Sequence, residues 1–591
     1  MLRRAMGSTP NGLPAVKWLS LAQLAQTAVE VIQATMFARF ADKRESMASS
    51  PREFYRLPGS DRDIWIDYVA DTGDGFDATF ATACCLSGVA TVTPAEPFAD
   101  RPGQADLLIL GGDEVYPVAS AKAYVERLNE VLRMAGRLAA MPTSPPVLAL
   151  PGNHDWYDGL ASFRRNFCES WVMRDGDRQH ASSVIDVPPP QQCDDVGGWS
   201  AFQSRSYFAA QLSQRWWLWA LDSQLDAPID AEQLAYFREA AKLLGDADVV
   251  LCVATPSWLE ATGEGVYAAV ADTPLYTLLW FIDRVLGPER HRLRLVLTGD
   301  QHHYARYSPA TDGGSTDFAP ELVTCGGGGA FLASTHHLGD TIRAALQPWP
   351  SGSGQSVRYG LTSAYPSKEQ SNALTARGRF LSAAWRNGWT LPALVGTVDF
   401  LLFLTVFLGQ PGWFTAATVG VGALLGLYAS SGVPTHLPLR RRQQTIAALL
   451  VPHTLAHVVA AAVIAAAAWL APPPLLWIVL PLAFVVLAAL GTAVFVTYLH
   501  IADRFGCHIL EAFSALRIDG YKSHLRLHVT DERIRVHVVG MDAVPRARYA
   551  EDLGEEIPEP RVIDTFDVFP SGKHAEGPDP SSPTSVGVAG R

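Results

Sequence analysis

Between residues 60 and 340, short apolar runs alternate with stretches of helical periodicity, and most of the runs end in a polar cluster. In chain order the runs are WIDYVAD, ADLLILGGD, VLALPGNHD, WWLWALD, DVVLCVATP, LRLVLTGD and PELVTCGGGG. Apolar runs of this length followed by turn residues are typical of buried strands in an α/β protein. Side chains that carry chemistry tend to follow the carboxyl ends of such strands. The pattern therefore predicts an α/β domain over residues 59–345.

A second pattern begins near Asn387, where charged side chains almost disappear. Of the 116 residues from Asn387 to Ala502, only Asp399 and the run Arg440–Arg442 are charged. Proline and glycine divide this block into four apolar stretches, each close to the roughly 20 residues needed to cross a bilayer. The stretches are residues 391–409, 413–430, 445–470 and 474–500. The sequence predicts an all-α domain of four transmembrane helices over residues 391–502, with the lipid bilayer as a partner.

The arginine run lies between the second and third spans and predicts the side on which the soluble parts lie. Positive loops favour the cytoplasmic side, and an even number of spans places both ends of the chain on that side. Seven scattered cysteines without a CxxC pair favour a reducing compartment. The N-terminal residues lack the uninterrupted apolar core of a signal peptide. We expect a multi-pass protein of the cell membrane whose soluble domains are cytoplasmic.

Composition and patterning assign the remaining segments. Residues 1–58 are interpreted as an amphipathic helical segment and residues 346–390 as a linker. Residues 160–207 are long for a connector and are expected to form a lid. Alternation with period two predicts a small α+β domain over residues 503–570. Residues 571–591 lack apolar content and are expected to be disordered.

The overall composition adds one exclusion. The chain has 591 residues, of which 18% are charged and 48% apolar, with a net charge of −12. The predicted membrane block carries more positive than negative side chains, so the negative charge arises outside it. An acidic soluble part without a basic patch argues against non-specific binding of nucleic acid. No nucleic acid partner is expected, and the oligomeric state is left open.

Side chains that bind divalent metals follow four of the predicted strands. They are Asp71 and Asp74, then Asp113, then Asn153 and His154, and finally Asp300, His302 and His303. A bridging carboxylate with amide oxygen and imidazole nitrogen donors suits two-metal hydrolysis of a phosphate ester. Asp71 is favoured over Asp74 because it ends its apolar strand directly. Asp74 is interpreted as a substitute ligand or a turn cap.

The order of these motifs resembles the calcineurin-like metallophosphoesterase superfamily, whose order is D-x-H, G-D, G-N-H-D/E, a strand-end His and G-H-x-H. The corresponding segments are Asp71-Thr72-Gly73, Gly112-Asp113, Gly152-Asn153-His154-Asp155 and Gly299-Asp300-Gln301-His302. The resemblance covers about residues 60–340. It implies a metallophosphoesterase-type β-sandwich flanked by helices, two divalent ions from among Mn, Mg, Fe and Zn, and a phosphate-ester substrate. It also implies that His154 donates a proton to the leaving oxygen and that Asp155 orients His154.

The first metal site implied by this resemblance has a tyrosine in place of a histidine. The first motif is D-x-G rather than D-x-H, but Gly112-Asp113-Glu114-Val115-Tyr116 resembles the G-D-x-x-Y of purple acid phosphatases. In that branch the tyrosine replaces the missing histidine. The resemblance implies a complete first site formed by Asp71, Asp113, Tyr116 and His302.

The second implied site departs further from the superfamily. Ala254 or Thr255 stands where the strand-end histidine is expected, and Asp300 stands in place of the first histidine of G-H-x-H. The second site would keep Asp113, Asn153 and Asp300. Oxygen donors shift its preference towards Mn²⁺ or Mg²⁺ and away from Zn²⁺.

Three functions follow from these features as hypotheses. The first is a membrane-anchored phosphoesterase that hydrolyses a phosphate ester or pyrophosphate through a metal-activated water, with a lipid-linked substrate as an attractive case. The second is a catalytically weak or silent metal-binding sensor domain that regulates the membrane domain, which the residues at Ala254 and Asp300 keep open. The third is a transporter with a regulatory domain. It would need a polar path through the spans, for which Asp399, His453, His457 and His500 are the candidates.

Two further segments near the predicted site are open to two interpretations each. The run Gly326–Gly329 forms either a tight turn or a close backbone approach to an anion or metal cluster. His336 and His337 follow it and are interpreted as exposed loop histidines, with a position at the metal site as the alternative.

Overall fold

Two β-sheets that share one apolar core form the soluble part of the protein, in a computed structural model. It describes residues 12–26, 29, 52–57, 63–98, 103–169, 183–187, 195–223, 229–261, 274–310, 319–344, 357–433, 439–546 and 558–572. The strands are β1 Glu53–Arg56, β2 Ile64–Val69, β3 Leu107–Leu110, β4 Pro146–Ala149, β5 Ser183–Asp186, β6 Ser200–Ala201, β7 Phe208–Gln211, β8 Trp216–Leu221, β9 Asp248–Val253, β10 Leu293–Thr298, β11 Tyr304–Pro309, β12 Glu321–Cys325, β13 Thr341–Ala344, β14 Val357–Tyr365, β15 Lys522–Val529, β16 Ile534–Met541 and β17 Arg561–Val568. The larger sheet has the order β13-β14-β11-β12-β10-β9-β8-β7-β1-β5, and the smaller has the order β17-β16-β15-β2-β3-β4-β6.

Helices cover the outer faces of both sheets, and four long helices form a separate group. They are α1 Phe76–Leu86, α2 Glu130–Leu138, α3 Ala161–Phe167, α4 Ala231–Leu243, α5 Pro274–Val285, α6 Lys368–Leu374, α7 Arg377–Arg386, α8 Thr390–Phe407, α9 Pro411–Ser431, α10 Leu439–Trp469, α11 Leu476–Arg504 and α12 Ile509–Leu516. The first three pack on the small sheet, while α4 and α5 pack on the large one. Strands buried on both faces read as continuous apolar runs, which is why β2, β8 and β9 do so. The predicted α/β sandwich flanked by helices is confirmed.

The strands after the membrane block belong to the same sheet as the first motif. β15 pairs antiparallel with β2, and β16 and β17 follow at its outer side. Residues 503–570 therefore do not form the separate C-terminal domain that was predicted for them. Three strands alone would leave an apolar face and an unpaired edge exposed, and β2 together with the opposite sheet buries both. Leu525, Leu527, Val536 and Val538 lie in the core between the sheets.

Two other predicted segments also contribute to the sheets. In the predicted linker 346–390, β14 pairs with β11 and β13. In the predicted lid 160–207, Phe163 and Phe167 of α3 lie in the core and β5 pairs with β1. The described parts of that segment thus belong to the core and the large sheet. Residues 170–182 and 188–194 lie outside the described residues.

The two ends of the chain are described only in part. Residues 12–20 are not helical and residues 21–26 are, so the predicted helical segment 1–58 begins later than expected within its described part. Residues 1–11 and 30–51 lie outside the described residues. The predicted disordered tail 571–591 also lies outside them, except for residues 571 and 572.

Four helices are long and apolar enough to cross a membrane. They are Thr390–Phe407, Pro411–Ser431, Leu439–Trp469 and Pro473–Arg504, with mean hydropathies between 1.4 and 2.6. Their bounds overlap the four predicted spans. Most of each apolar surface faces outward rather than into the protein, as expected of helices whose surroundings are apolar.

The block of four long apolar helices is an insertion into the sandwich. β14 ends just before it in the large sheet, and β15 begins just after it in the small sheet. The rings of Tyr365 and Tyr521, one from each end of the insertion, lie 5.4 Å apart. The soluble segments before and after the four helices therefore lie together on one side of them.

A buried polar pair joins two of the four helices. Asp399 on α8 is buried, and its carboxylate oxygens lie 2.8 and 3.0 Å from Nδ1 of His457 on α10. Gly491 on the neighbouring α11 leaves room for this carboxylate, since a Cβ there would lie 2.1 Å from Asp399 Oδ2. Small residues and polar contacts of this kind hold membrane helices together.

We expect Asp399→Leu to lower the free energy of unfolding by about 1–2 kcal/mol, because it leaves His457 without its buried partner. Denaturant unfolding of the full chain in detergent measures this change. Thr397→Ala is the matched control, because Thr397 is exposed on the same helix and bonds only its own helix backbone. Equal effects of the two substitutions would contradict a stabilising role for the pair.

Candidate metal centre

The candidate ligands meet where the carboxyl ends of both sheets converge. Asp71 follows β2, Asp113 follows β3, and Asp300 follows β10 of the opposite sheet. The three residues share a left-handed backbone, with φ of 60°, 55° and 63°. Such a conformation is uncommon outside glycine and concentrates at functional sites, although aspartate tolerates it better than most residues. The Asp300 amide donates to Asp71 Oδ2 at 2.8 Å, which joins the two sheets at this point.

The Tyr116 hydroxyl is the centre around which the first set of candidate ligands gathers. It lies 2.7 Å from Asp71 Oδ1, 3.2 Å from Asp113 Oδ2 and 3.1 Å from His302 Nε2. His302 Nε2 is also 3.4 Å from Asp71 Oδ1. The four residues implied by the G-D-x-x-Y resemblance are thus within contact distance of one another. These four residues are spread over more than 230 positions of the chain, so only the fold brings them together.

The charge balance of the site calls for a cation. Asp71, Asp113, Glu114 and Asp155 are buried together, with Asp300 close by. Burial, followed by repulsion from neighbouring carboxylates, raises the pKa of Asp71, Asp113 and Glu114 well above their usual range. A divalent metal would relieve this repulsion and favour the ionised carboxylates. The donor set therefore fits divalent metals.

The histidines of the site have the protonation state that metal ligands require. Burial lowers the pKa of His302 to about 3 and that of His154 to about 4. A metal binds the neutral imidazole, so no proton has to be displaced from His302 near neutral pH. The buried Lys522 ammonium group acts electrostatically on Asp71 and His302, and burial lowers the pKa of Lys522 to about 8.

The second set of candidate ligands is thinner. Ala254 follows β9 at the position of the expected histidine, and its methyl group packs near Gly112. The Asn153 amide nitrogen donates to the Tyr157 hydroxyl at 2.9 Å, which leaves its carbonyl oxygen as the ligand atom. Asp300 adds a carboxylate beside Asp71 and Asp113. The described donors of this set are therefore oxygen atoms.

The structure corrects the role predicted for Asp155. Its Oδ2 accepts from the backbone amides of Gly152 and Asp113 at 2.9 Å each, and its Oδ1 accepts from the Tyr124 hydroxyl. His154 instead places Nδ1 2.6 Å from the Pro117 carbonyl oxygen. A carbonyl oxygen only accepts, so Nδ1 carries the proton and Pro117 orients the ring. Asp155 fixes the loops after β3 and β4, because a carboxylate can accept several amide hydrogen bonds at once.

His154 lies against the centre through both its backbone and its ring. Its amide donates to Asp113 Oδ1 at 2.8 Å, and its ring centroid is 4.3 Å from that of Tyr116. Its Nε2 makes no hydrogen bond within the part of the chain that the structure describes. That nitrogen is the atom available to a substrate.

Asp74 holds the N-terminal segment in place. Its carboxylate accepts from the Val16 amide at 2.8 Å and from the Trp18 indole at 3.4 Å. The Trp18 ring lies edge-on to the rings of Tyr116 and His154, at 6.0 and 5.9 Å between centroids. The sequence contains no motif that connects residue 18 with the site, so this cover was not predicted. Asp74 is therefore neither the substitute ligand nor the simple turn cap that the sequence suggested.

The run Gly326–Gly329 packs closely against the end of β2, beside the metal centre. A Cβ on Gly326 would lie 2.5 Å from Asp71 Oδ2, and one on Gly328 would lie 2.3 Å from the Ala70 carbonyl oxygen. The run is therefore glycine because of close backbone approach to the end of β2. His303, the additional candidate, is buried, and its ring nitrogens have no hydrogen-bond partner among the described residues. No contact joins it to the Tyr116 hydroxyl there.

Several residues of the site lay beyond the reach of motif reasoning. Glu114 is inside the G-D-x-x-Y motif, where its burial could be suspected from the short spacing. Tyr124, Pro117, Trp18 and Lys522 carry no signal of their own. Tyr124 and Trp18 reach the site through side-chain contacts, Pro117 through its carbonyl oxygen and Lys522 through the pairing of β15 with β2.

A comparison with known protein families matches the part of the chain that contains these ligands. Residues 64–304 match the family model for calcineurin-like phosphoesterases. This part of the chain is a calcineurin-like phosphoesterase domain. The match confirms the predicted family and, with it, the class of metal-dependent phosphoester hydrolases for this domain. The comparison with curated proteins finds no match.

Among solved structures, the phosphoesterase domain is similar to the purple acid phosphatase PPD1 from yellow lupin (Lupinus luteus) seeds. The identity is 13% and the TM-score 0.27, with 48% of this chain and 46% of that chain covered. A structure described as PhoD aligns at 12% identity and a TM-score of 0.27, covering 46% of this chain and 58% of that one. The alignments span about half the length of these structures.

Proposed function

We propose that the chain is a membrane-anchored, metal-dependent phosphoesterase. The observation that carries this proposal is the convergence of Asp71, Asp113 and His302 on the Tyr116 hydroxyl in a buried, carboxylate-rich site. Bound divalent cations would supply the polarisation of a water and of the phosphate oxygens. We propose Asp71, Asp113, Tyr116 and His302 as ligands of the first ion. A second ion would be held by Asp113, Asn153 and Asp300, with Mn²⁺ or Mg²⁺ preferred by this oxygen-rich set.

A phosphodiester and a phosphomonoester with a chromogenic leaving group test the activity. The full chain in detergent is stripped of metal, and Mn²⁺, Mg²⁺ or Zn²⁺ is then added. We expect turnover to depend on added metal and to be higher with Mn²⁺ than with Zn²⁺. Metal bound to the wild-type centre without turnover of either ester would contradict an enzymatic function.

That last outcome would favour the second candidate, a silent metal-binding sensor that regulates the membrane domain. The observation in its favour is Ala254, which supplies a methyl group where a second-site nitrogen donor is expected. The two functions differ in turnover and not in metal binding, so the same experiment separates them.

We propose His154 as the proton donor to the leaving group. Its free ring is neutral, but a bound phosphate dianion favours the protonated ring by charge attraction. His154→Ala is expected to lower kcat about 10²-fold for an alkyl phosphate and much less for a nitrophenyl phosphate, whose leaving group needs no proton. His528→Ala, on the partly exposed end of β15, is the control. Equal losses with both leaving groups would argue against the proton transfer.

A substrate at the membrane surface is supported by the position of the centre. Phe331 lies 4.6 Å from the His302 ring and 5.7 Å from the Trp18 ring, measured between centroids. The same residue packs in one apolar cluster with Leu391 of α8 and Leu499 of α11. The Leu21 amide also donates to Thr390 Oγ1, at the start of α8. Trp18 and Leu21 are three positions apart in the chain, which is a reach of at most roughly 10 Å.

We therefore propose a lipid-linked phosphate or pyrophosphate as substrate, and a membrane location with the soluble domains cytoplasmic. Vesicles that contain the reconstituted chain and a lipid phosphomonoester test the substrate. We expect a higher kcat/KM for the lipid ester than for a soluble ester with the same leaving group. The reverse order would leave a phosphoesterase with a soluble substrate. Protease access to Arg440–Arg442 in oriented vesicles tests the side of the membrane.

A further inference from the structure

Three metal-binding side chains meet at the junction between the phosphoesterase domain and the membrane helices. His336 and His337 lie on the loop after β12, and Asp503 lies at the carboxyl end of α11. Their ligand atoms all lie within 4.8 Å of one another. The sequence interpretation of these histidines as exposed loop residues is wrong, because both face a buried carboxylate. The alternative, a position at the metal centre described above, is wrong as well.

The distances suit a single small cation. His337 Nε2 is 3.0 Å from Asp503 Oδ1, and His336 Nε2 is 3.4 Å from Asp503 Oδ2. The two imidazole rings are 4.1 Å apart between centroids. Ligand atoms at about 2.0–2.2 Å from a zinc ion in a tetrahedral arrangement lie a little over 3 Å from each other. The two nitrogen–oxygen separations are already close to that geometry.

The surroundings hold the group in position. The His336 Nδ1 atom lies 2.9 Å from Ser371 Oγ, which also accepts from the Thr335 amide at 3.0 Å. A hydrogen bond to the second ring nitrogen is the usual way in which a protein orients a metal-binding histidine. Asp503 is fully buried, and its Oδ2 makes no aligned hydrogen bond within the described residues.

Without a metal, each neutral histidine can donate its Nε2–H to one oxygen of the Asp503 carboxylate, so an ion-free arrangement is the alternative that the experiment has to exclude. A divalent cation in place of these protons would bind both Nε2 atoms and the carboxylate together.

We propose that His336, His337 and Asp503 bind a divalent transition metal, with Zn²⁺ as the expected ion. Two nitrogen donors and one carboxylate suit zinc, and three protein ligands leave a fourth position for water or another group. The site is separate from the phosphoesterase centre and does not depend on the proposed activity.

The loop that carries the histidines runs directly from the phosphoesterase centre. The Ala330 amide donates to the Asp71 carbonyl oxygen at 2.8 Å, and the Ala333 amide donates to the His302 carbonyl oxygen at 3.2 Å. A metal at the junction would thus fasten the backbone around His302 to the end of the last membrane helix. We expect zinc at this site to raise the melting temperature of the full chain.

Zinc binding is measured on a chain that lacks the phosphoesterase centre. The full chain in detergent carries Asp113→Asn and His302→Gln, is stripped of metal and is titrated with Zn²⁺ against a chromophoric chelator. We expect about one tightly bound equivalent to remain. Adding His337→Gln or Asp503→Asn is expected to weaken this binding by at least about tenfold. Adding His528→Gln on β15, which removes the hydrogen-bond partner of Asp63, should leave the zinc affinity unchanged.

A second measurement does not require substitutions at the junction. Diethyl pyrocarbonate modifies accessible histidines, and mass spectrometry locates the modified residues in the otherwise unchanged chain. We expect Zn²⁺ to protect His336 and His337 and to leave His528 reactive. No retained equivalent of zinc, or retention unaffected by His337→Gln together with absent protection, would show that the three side chains form an ion pair only.

Discussion

Asp113→Asn is expected to remove the first metal ion and to lower kcat/KM by about 10³-fold or more. Asp113 is the one candidate ligand that both metal sets share, and its loss removes several kcal/mol of charge stabilisation. Asparagine has nearly the same shape as aspartate, so its Oδ1 can still accept from the His154 amide. The substitution therefore removes charge while it preserves the loop after β3.

The same substitution has an opposite expected effect on the metal-free chain. Burial raises the pKa of Asp113, and repulsion from the neighbouring carboxylates of Asp71, Asp155 and Asp300 raises it further. Without metal, a neutral amide relieves this repulsion, so the melting temperature of the stripped variant should equal or exceed that of the stripped wild type. Removing the charge of Asp113 should therefore lower the activity without lowering the stability of the metal-free chain.

Bound metal, turnover and melting temperature of the full chain test this prediction together. Asp246→Asn is the matched control, because Asp246 is exposed in the turn before β9, at the opposite end of that strand from the metal centre. The control should match the wild type in all three measurements. Wild-type metal content and turnover in the Asp113→Asn variant would disprove the assignment of the site. A strongly destabilised stripped variant would instead disprove the repulsion.

Arg526→Met is expected to lower the free energy of unfolding by about 3–5 kcal/mol, because it leaves the buried Asp67 carboxylate without its partner. Arg526 on β15 donates twice to Asp67 on β2, at 2.8 Å each. Both side chains are almost fully buried. The pair joins the strand after the membrane block to the strand that ends in Asp71.

Denaturant unfolding of the full chain measures this effect. Arg535→Met is the matched control, because Arg535 on β16 makes a similar paired contact with Asp567 on β17 at 2.8 and 2.9 Å. That pair is partly exposed, so its loss should cost less than about 1 kcal/mol. Similar effects of the two substitutions would mean that β15 does not contribute to the folded sandwich as described.

The local pattern of the chain was sufficient for much of the architecture. The apolar runs predicted strands that the structure confirms, including β2, β3, β4, β8, β9 and β10. The four apolar stretches predicted the four long helices within a few residues at most of their ends. These features depend on the periodicity and length of neighbouring residues, which are properties of the sequence itself.

Motif order also located the centre, but not its surroundings. Asp71, Asp113, Tyr116 and His302 could be named together because the order of their motifs resembles the calcineurin-like superfamily and the G-D-x-x-Y of purple acid phosphatases. The role given to Asp155 was wrong, since which acceptor lies nearest His154 Nδ1 depends on the path of the loop at Pro117. Trp18 and Lys522 could not be predicted, because they approach the centre from more than 50 and more than 200 positions away.

Sequence alone determined the strand ends, the metal-binding side chains and the apolar helices of this protein. Only the tertiary structure decided that the chain after the membrane helices completes the sheet, since an edge strand accepts any partner of suitable pattern. Only the tertiary structure paired Asp503 with His336 and His337 as well. Asp503 follows the two histidines by more than 160 positions, and their meeting depends on how α11 packs against the loop that follows β12.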